Sequence, residues 1–153
     1  MPRTSQVLSR LSLPMILPIK RIGRTGETAA ADRLAQQGYH ILEKNMRIGM
    51  KEADIICTRG EYLVFVEVKT HLCMDPEERP WESFVGRASG MVDNAKKRNL
   101  LQAVNAYMKR YSPPYIPRID VIEVYLAPDR RVLAIEQIEG AVTGNTKLRR
   151  KRR

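Results

Sequence analysis

The sequence predicts an α/β fold (α+β in some schemes) in which a mixed central sheet of about four or five strands carries flanking helices. Residues 52–70 read as two apolar strands joined by a turn. Residues 25–37 and 92–111 have the apolar spacing of helices, and residues 116–126 form a further strand. Because one helix precedes the hairpin and one follows it, parallel and antiparallel strand pairs should occur together.

Length and composition indicate one globular domain, which we place at residues 21–139. The chain has 153 residues, of which 43% are hydrophobic and 29% charged. A net charge of +10 favours an anionic partner, with nucleic acid ahead of a membrane surface. Six of the last seven residues are basic, and without them the net charge falls to +4. The folded part is therefore only mildly basic.

The two ends of the sequence predict flexible segments. Residues 1–20 contain an apolar run that superficially resembles a secretory signal, but Pro14 and Pro18 interrupt it and it is too short to span a bilayer. Residues 140–153 are polar and basic without periodicity, which predicts a disordered tail. With no membrane segment and no CxxC cysteine pair, the sequence favours a cytoplasmic protein.

The first helix is predicted over residues 25–37, with Thr25 as its cap and Gly38 at its left-handed exit. Glu27 lies in the first turn, where a carboxylate interacts favourably with the helix dipole. A short strand, residues 39–43, follows and leads to Arg47, which could contact a backbone phosphate or form a surface salt bridge. The residues expected on the packing side of the helix are Ala29, Ala30, Leu34 and Ala35.

The hairpin at residues 52–70 contains three charged residues where a core strand should have none: Asp54, Glu67 and Lys69. A buried carboxylate costs several kcal/mol unless it is paired or binds a metal. A turn with an even number of residues sets Asp54 opposite Phe65 or opposite Glu67. Either register gathers the three charges on one side, whereas a three-residue loop would place Asp54 on the wrong face.

This cluster has the chemistry of a metal site that cuts a phosphodiester. Asp54 and Glu67 can supply carboxylates to Mg²⁺ or Mn²⁺, and the carbonyl of Val68 can add a backbone ligand. Lys69 can orient a water molecule and balance charge in the transition state. The alternative is structural, with Asp54 or Glu67 forming a salt bridge to Lys69 at a sheet end.

The second helix carries an apolar stripe that predicts core packing, and residues 112–114 (Ser-Pro-Pro) end it. Lys96 and Lys97 belong to a basic cluster in its first half, which could contact phosphates or form a solvated basic face. Between the hairpin and this helix, residues 71–90 are predicted to form a loop over the site. His71, at its start, could contact phosphate, although a surface histidine is the commoner case.

The last two strands are predicted over residues 116–126 and 132–135, the second at an edge. Arg118 and Asp120 lie two apart on one strand and therefore on one face. We interpret them as an ion pair that braces the sheet, because Asp120 lies outside the hairpin.

Several motifs occur together in an order that resembles the YraN-like family of endonuclease-like proteins, in the PD-(D/E)XK nuclease superfamily. The resemblance covers roughly residues 22–126. The segment 71–90 looks longer than is usual in that family. The motifs are Gly26-Glu27, Gly38-Tyr39, Glu52-Ala53-Asp54, Phe65-Val66-Glu67-Val68-Lys69, Lys96, and Arg118-Ile119-Asp120-Val121.

The resemblance implies a restriction-endonuclease-like core and strengthens the metal-site interpretation. It makes Glu27 a candidate third carboxylate, gives Glu52 an assisting role, and matches Lys96 to a family lysine suited to phosphate. It implies hydrolysis of DNA, with branched or damaged DNA in repair or recombination as a candidate substrate. A homodimer would suit the cutting of two strands, but no interface can be read from one chain.

Two other functions stay open at this point. The first alternative is a nucleic-acid-binding module of the same fold that does not catalyse. The second is an interaction protein whose basic tail docks on RNA or a ribosomal surface. The charges favour the enzyme, because carboxylates that face phosphate would weaken a pure binder unless a metal neutralises them.

Overall fold

The computed structural model describes residues 21–82 and 94–141. The predicted extension 1–20 and residues 142–153 of the predicted tail lie outside the described residues, as do residues 83–93. The elements in chain order are helix α1 (21–36), strands β1 (His40–Ile48), β2 (Lys51–Arg59) and β3 (Tyr62–Leu72), a 3-10 helix (Pro76–Glu78), helix α2 (Asn94–Tyr111), and strands β4 (Ile116–Leu126) and β5 (Val132–Ile138).

The strands form one five-stranded sheet in the order β1-β2-β3-β4-β5, with β3 at its centre. The β3–β4 pair is parallel and the other three pairs are antiparallel, so the predicted mixed α+β sheet is confirmed. Strands β1 and β5 extend beyond the predicted 39–43 and 132–135, because each follows its neighbour along most of its length. β5 lies at an edge, as predicted.

The β2–β3 hairpin turns through two residues, Gly60 and Glu61, with Arg59 paired to Tyr62. Gly60 has a φ of 56°, which a residue without a Cβ adopts at little cost. The pairing continues to Ile55 and Val66. An even-numbered turn is thus present, as the predicted grouping of the hairpin charges requires.

Helix α1 packs on one face of the sheet through Ala30, Ala31 and Leu34, which meet the buried valines of β3. Two predictions about this helix are wrong. Ala35 is exposed, and Ala31 is buried in its place. Thr25 does not cap the helix, which already includes residue 21; its hydroxyl instead donates to the carbonyl of Arg21 at 2.8 Å.

Helix α2 covers the other face and ends at Tyr111, as predicted. Leu100 and Val104 pack there against Phe65 of β3, and the ring of Tyr107 meets that of Phe65 edge-on at 5.4 Å. The predicted loop over residues 71–90 begins later than expected, because β3 continues to Leu72. None of the helices in the described residues is long and apolar enough to cross a membrane.

The predicted Arg118–Asp120 pair is present and belongs to a larger network at the β4–β5 edge. Two guanidinium nitrogens of Arg118 donate to the two oxygens of Asp120, each at 2.9 Å. Arg118 also donates to the Tyr39 hydroxyl at 2.8 Å. Gln137 and the Gly140 amide donate to Asp120, each at 3.0 Å. The fully buried Asp120 is therefore well satisfied, which favours the structural interpretation.

Candidate functional site

Asp54 lies where strands β2 and β3 separate. Their pairing stops at Ile55 and Val66. Beyond this point the Val68 amide has no backbone acceptor on β2 and donates instead to Oδ2 of the Asp54 side chain at 2.8 Å. The side chain thus stands in for the missing strand partner and is held in one orientation at the mouth of the hairpin.

The environment of Asp54 opposes its ionisation. Burial, followed by the negative charge of Glu67, raises the pKa of Asp54 from 3.8 to about 7. Glu27 of α1 also raises this pKa, while the Val68 amide and the charge of Lys96 lower it. Glu27 and Glu67 are thus close enough to Asp54 for their charges to act on it.

Glu67, in β3, is 5% exposed and forms an ion pair with Lys96 of α2. Burial lowers the pKa of Lys96, but the hydrogen bond to Glu67 and the charges of Glu67 and Asp54 outweigh it and raise the pKa above its ordinary value. Lys69 lies close enough to Lys96 for the two side chains to interact. Lys96 therefore contacts the acidic pair directly in this structure, a contact that the sequence analysis did not predict.

Gly26 determines how closely α1 approaches the site. A Cβ at this position would overlap the Thr70 side chain of β3. Only glycine lets the helix come this close to the strand, and the next residue of the helix is Glu27. The predicted Gly26-Glu27 motif therefore has a packing reason for its glycine, which brings the following carboxylate toward the Asp54–Glu67 pair.

A cleft of about 360 Å³ opens beside Glu67. Glu52 is exposed on its wall, and Arg47 lies directly opposite Glu52 on β1, so both side chains point the same way. Lys97 is partly buried and is not among the lining residues. The side chains that line the cleft are Met50, Lys51, Glu52, Glu67, Ala95, Lys96, Asn99 and Leu100.

His71 belongs to a second polar group on β3 and β4 that the sequence analysis missed. Its Nε2 lies 3.3 Å from Oε1 of Glu123, and the Tyr125 hydroxyl donates to Oε2 of Glu123 at 3.2 Å. The His71 and Tyr125 rings stack at 4.8 Å, and Trp81 packs on Tyr125 at 5.6 Å. The sequence feature that could have indicated this group is Glu123, a carboxylate within a largely apolar strand, which is fully buried in the structure.

The donor set fits a hard divalent cation. Mg²⁺ and Mn²⁺ prefer oxygen ligands and are commonly held by one or two carboxylates with waters. Asp54 and Glu67 supply two such carboxylates close together, and the Val68 carbonyl lies on the strand between Glu67 and Lys69. Among residues 21–82 and 94–141, no three His, Cys, Asp or Glu side chains converge as a metal-binding group. Glu27 therefore lies near Asp54 and Glu67 but does not form a three-carboxylate group with them.

A five-stranded mixed sheet between two helices, with an acidic pair and lysines at a cleft, places the protein among folds with a restriction-endonuclease-like core. The sequence comparisons make the assignment narrower. The chain belongs to the family described as "Uncharacterised protein family UPF0102", whose sequence model matches residues 26–124. This is the YraN family that the motif order predicted, and the prediction is confirmed.

The sequences of several relatives align with most of the chain. A UPF0102 protein of Moorella thermoacetica is 37% identical over 128 residues, which are 83% of this chain and 99% of the relative. A UPF0102 protein of Symbiobacterium thermophilum is 39% identical, covering 74% of this chain and 89% of the relative. One of Caldanaerobacter subterraneus is 36% identical, covering 74% and 87%.

Proposed function

We propose that this protein is a metal-dependent endonuclease that hydrolyses phosphodiester bonds of DNA, with Mg²⁺ or Mn²⁺ as its cofactor. The observation that carries the proposal is the grouping of Asp54 with Glu67 and Lys96, the last two of which line the cleft, and with Lys69 close to Lys96. Two adjacent carboxylates repel each other and would repel a nucleic acid. A divalent cation bound between them removes both penalties.

Asp54 and Glu67 would hold the cation, together with the Val68 carbonyl. The bound cation would draw charge from the scissile phosphate and make a water molecule more acidic. Lys69 orients that water and stabilises the negative charge that builds up on the phosphate. The Val68 amide keeps the Asp54 carboxylate oriented, at an N–O distance of 2.8 Å. Glu27 and Glu52 assist from α1 and the cleft wall.

Lys96 has two partners in this proposal. Without metal it neutralises Glu67. A cation held by Glu67 would supply the counter-charge in place of Lys96, which could then contact a phosphate as a point charge. Arg47, opposite Glu52 on β1, and Lys97, next to Lys96 on α2, would extend this phosphate contact. His71 contacts phosphate only if its ring leaves Glu123.

A nuclease assay tests the proposal. Purified protein is incubated with duplex, single-stranded and branched DNA in Mg²⁺, in Mn²⁺ and in EDTA. We expect metal-dependent cleavage that falls by at least about 10²-fold in Glu67→Ala and Lys69→Ala. Glu61→Ala and Lys109→Ala, which alter exposed residues away from the cleft, serve as matched controls and should retain activity.

The same variants separate the enzyme from a non-catalytic binding module. A contaminating nuclease would give equal residual activity in wild type, Glu67→Ala and Lys69→Ala. DNA binding without cleavage in any metal, and unchanged by Glu67→Ala, would favour the binding module. A calorimetric titration in which Mg²⁺ binds wild type and Glu67→Ala equally would refute the assigned metal ligands.

A further inference from the structure

Met50 is the most exposed large apolar side chain among the described residues, and it lies at the rim of the cleft. It is 96% exposed. It occupies the two-residue turn between β1 and β2, next to Gly49, whose φ of 63° lets the chain reverse tightly. The cleft that it lines also contains Glu67 and Lys96. The turn therefore projects an apolar group beside the proposed cutting site.

The turn is held in place from both sides. Lys51 donates from its Nζ to Oδ1 of Asn99 on α2 at 2.8 Å. Met46, on the strand that enters the turn, packs against the core under α2. Because the backbone around Met50 is anchored in this way, a ligand that orders the side chain does not also have to order the turn.

The surroundings of Met50 indicate which part of a nucleic acid it would meet. Arg47, Lys51 and Lys96 are cations near the same rim, suited to phosphates. A thioether cannot satisfy a phosphate, but it is apolar and polarisable and can pack on the face of a base. Methionine is among the side chains that enter between stacked bases as wedges in complexes with kinked DNA.

We propose that Met50 inserts between two neighbouring bases beside the bond to be cut and opens that base step. This inference rests on the proposed nuclease function and adds the substrate class: DNA that is unstacked at the cut site. Unstacking a paired step costs a few kcal/mol, and a mismatched or unpaired step costs less. The wedge is therefore needed on a perfect duplex and dispensable on an open one.

Cleavage of two matched duplexes tests this division. One duplex is fully paired, and the other has the same sequence with a mismatch at the cut site. We expect Met50→Ser to slow cleavage of the paired duplex by at least about tenfold and to leave cleavage of the mismatched duplex nearly unchanged. Met74→Ser, which alters a 74% exposed methionine outside the cleft, should change neither rate. Equal slowing on both duplexes, or on neither, would overturn the proposal.

A fluorescence measurement tests the wedge without cleavage. 2-Aminopurine placed at successive positions of the paired duplex brightens where its base step unstacks. In a Glu67→Gln background, binding should raise its fluorescence, and adding Met50→Ser should remove most of the rise at saturating protein. A fluorescence rise that persists in the Met50→Ser variant would overturn the proposed insertion of Met50.

The two proposals can fail separately. If wild type binds DNA and brightens the probe but cleaves no DNA in any metal, the nuclease proposal fails and the insertion of Met50 survives. If the protein does not bind DNA, both the nuclease proposal and the insertion of Met50 fail.

Discussion

Replacing Asp54 with asparagine should stabilise the metal-free protein at neutral and alkaline pH. Burial and the charge of Glu67 raise the pKa of Asp54 to about 7. Asparagine has nearly the same shape and keeps an oxygen that can accept from the Val68 amide. The substitution therefore removes a disfavoured charge without removing the hydrogen bond.

The expected gain in the free energy of unfolding follows from the pKa of Asp54 in the folded and the unfolded protein. A shift from 3.8 to about 7 corresponds to a ceiling of roughly 4 kcal/mol. Because solvent reaches part of the side chain and the structure relaxes, we expect about 1–3 kcal/mol. The folded protein binds the proton more tightly than the unfolded chain, so the wild type loses stability as pH rises from about 4 to above 7.

Urea denaturation in EDTA at several pH values measures this effect. The advantage of Asp54→Asn should be about one third of its full size at pH 5 and complete above about pH 7.5. Mg²⁺ should then stabilise wild type more than the variant, because the cation needs the charged carboxylate. A variant that is no more stable than wild type at pH 8, or an advantage independent of pH, would refute the reasoning.

Three further predictions concern the supports of the site. Gly26→Ala should destabilise the protein by about 1–3 kcal/mol in urea denaturation, because the added methyl overlaps Thr70. Adding Thr70→Ala should recover most of the loss, and a fully stable Gly26→Ala would contradict the close approach. Lys96→Met should lower the stability of metal-free protein by about 2 kcal/mol, since Glu67 loses its partner. Calorimetry should show tighter Mg²⁺ binding in the same variant, and weaker binding would argue against competition for Glu67. Tyr39→Phe should cost about 1–2 kcal/mol in thermal denaturation, because its hydroxyl accepts from Arg118 at 2.8 Å and from Gln137 at 3.3 Å. An unchanged melting temperature would show that this hydroxyl is dispensable.

The sequence was most informative about features that depend only on the alternation of side chains along a strand. Side chains alternate, so Asp54, Glu67 and Lys69 could be assigned to one side of the hairpin from their spacing and an even-numbered turn. The limits of β4 were also predictable, because residues 116–126 are mostly apolar apart from Arg118, Asp120 and Glu123, and proline-containing segments lie on either side. A strand buried on both faces leaves a clear signal in the sequence.

Contacts between distant elements were not predictable in this way. No spacing rule brings Lys96 of α2 onto Glu67 of β3, because the contact depends on where the helix crosses the sheet. The start of α1 was misplaced because Thr25 is a good cap by type, while its hydroxyl bonds backward inside the helix. Glu123 gave the same signal as Asp54, and Tyr125 lies two residues along the same strand, but the contact with His71 comes from the β3–β4 pairing that only the fold reveals.

The parallel pairing of β3 with β4 has a consequence for how the molecule assembles. Strands β1 to β3 join through tight turns, whereas β4 reaches β3 only after residues 73–115 have crossed over. Local pairings form quickly and long-range ones slowly, because the entropy of closing the loop must be overcome first. During synthesis, the hairpin with both acidic groups can therefore form before the crossover delivers Lys96. A nascent chain would then carry the acidic pair with Lys69 of the same hairpin as its nearby cation, and the ion pair between Glu67 and Lys96 would form only later.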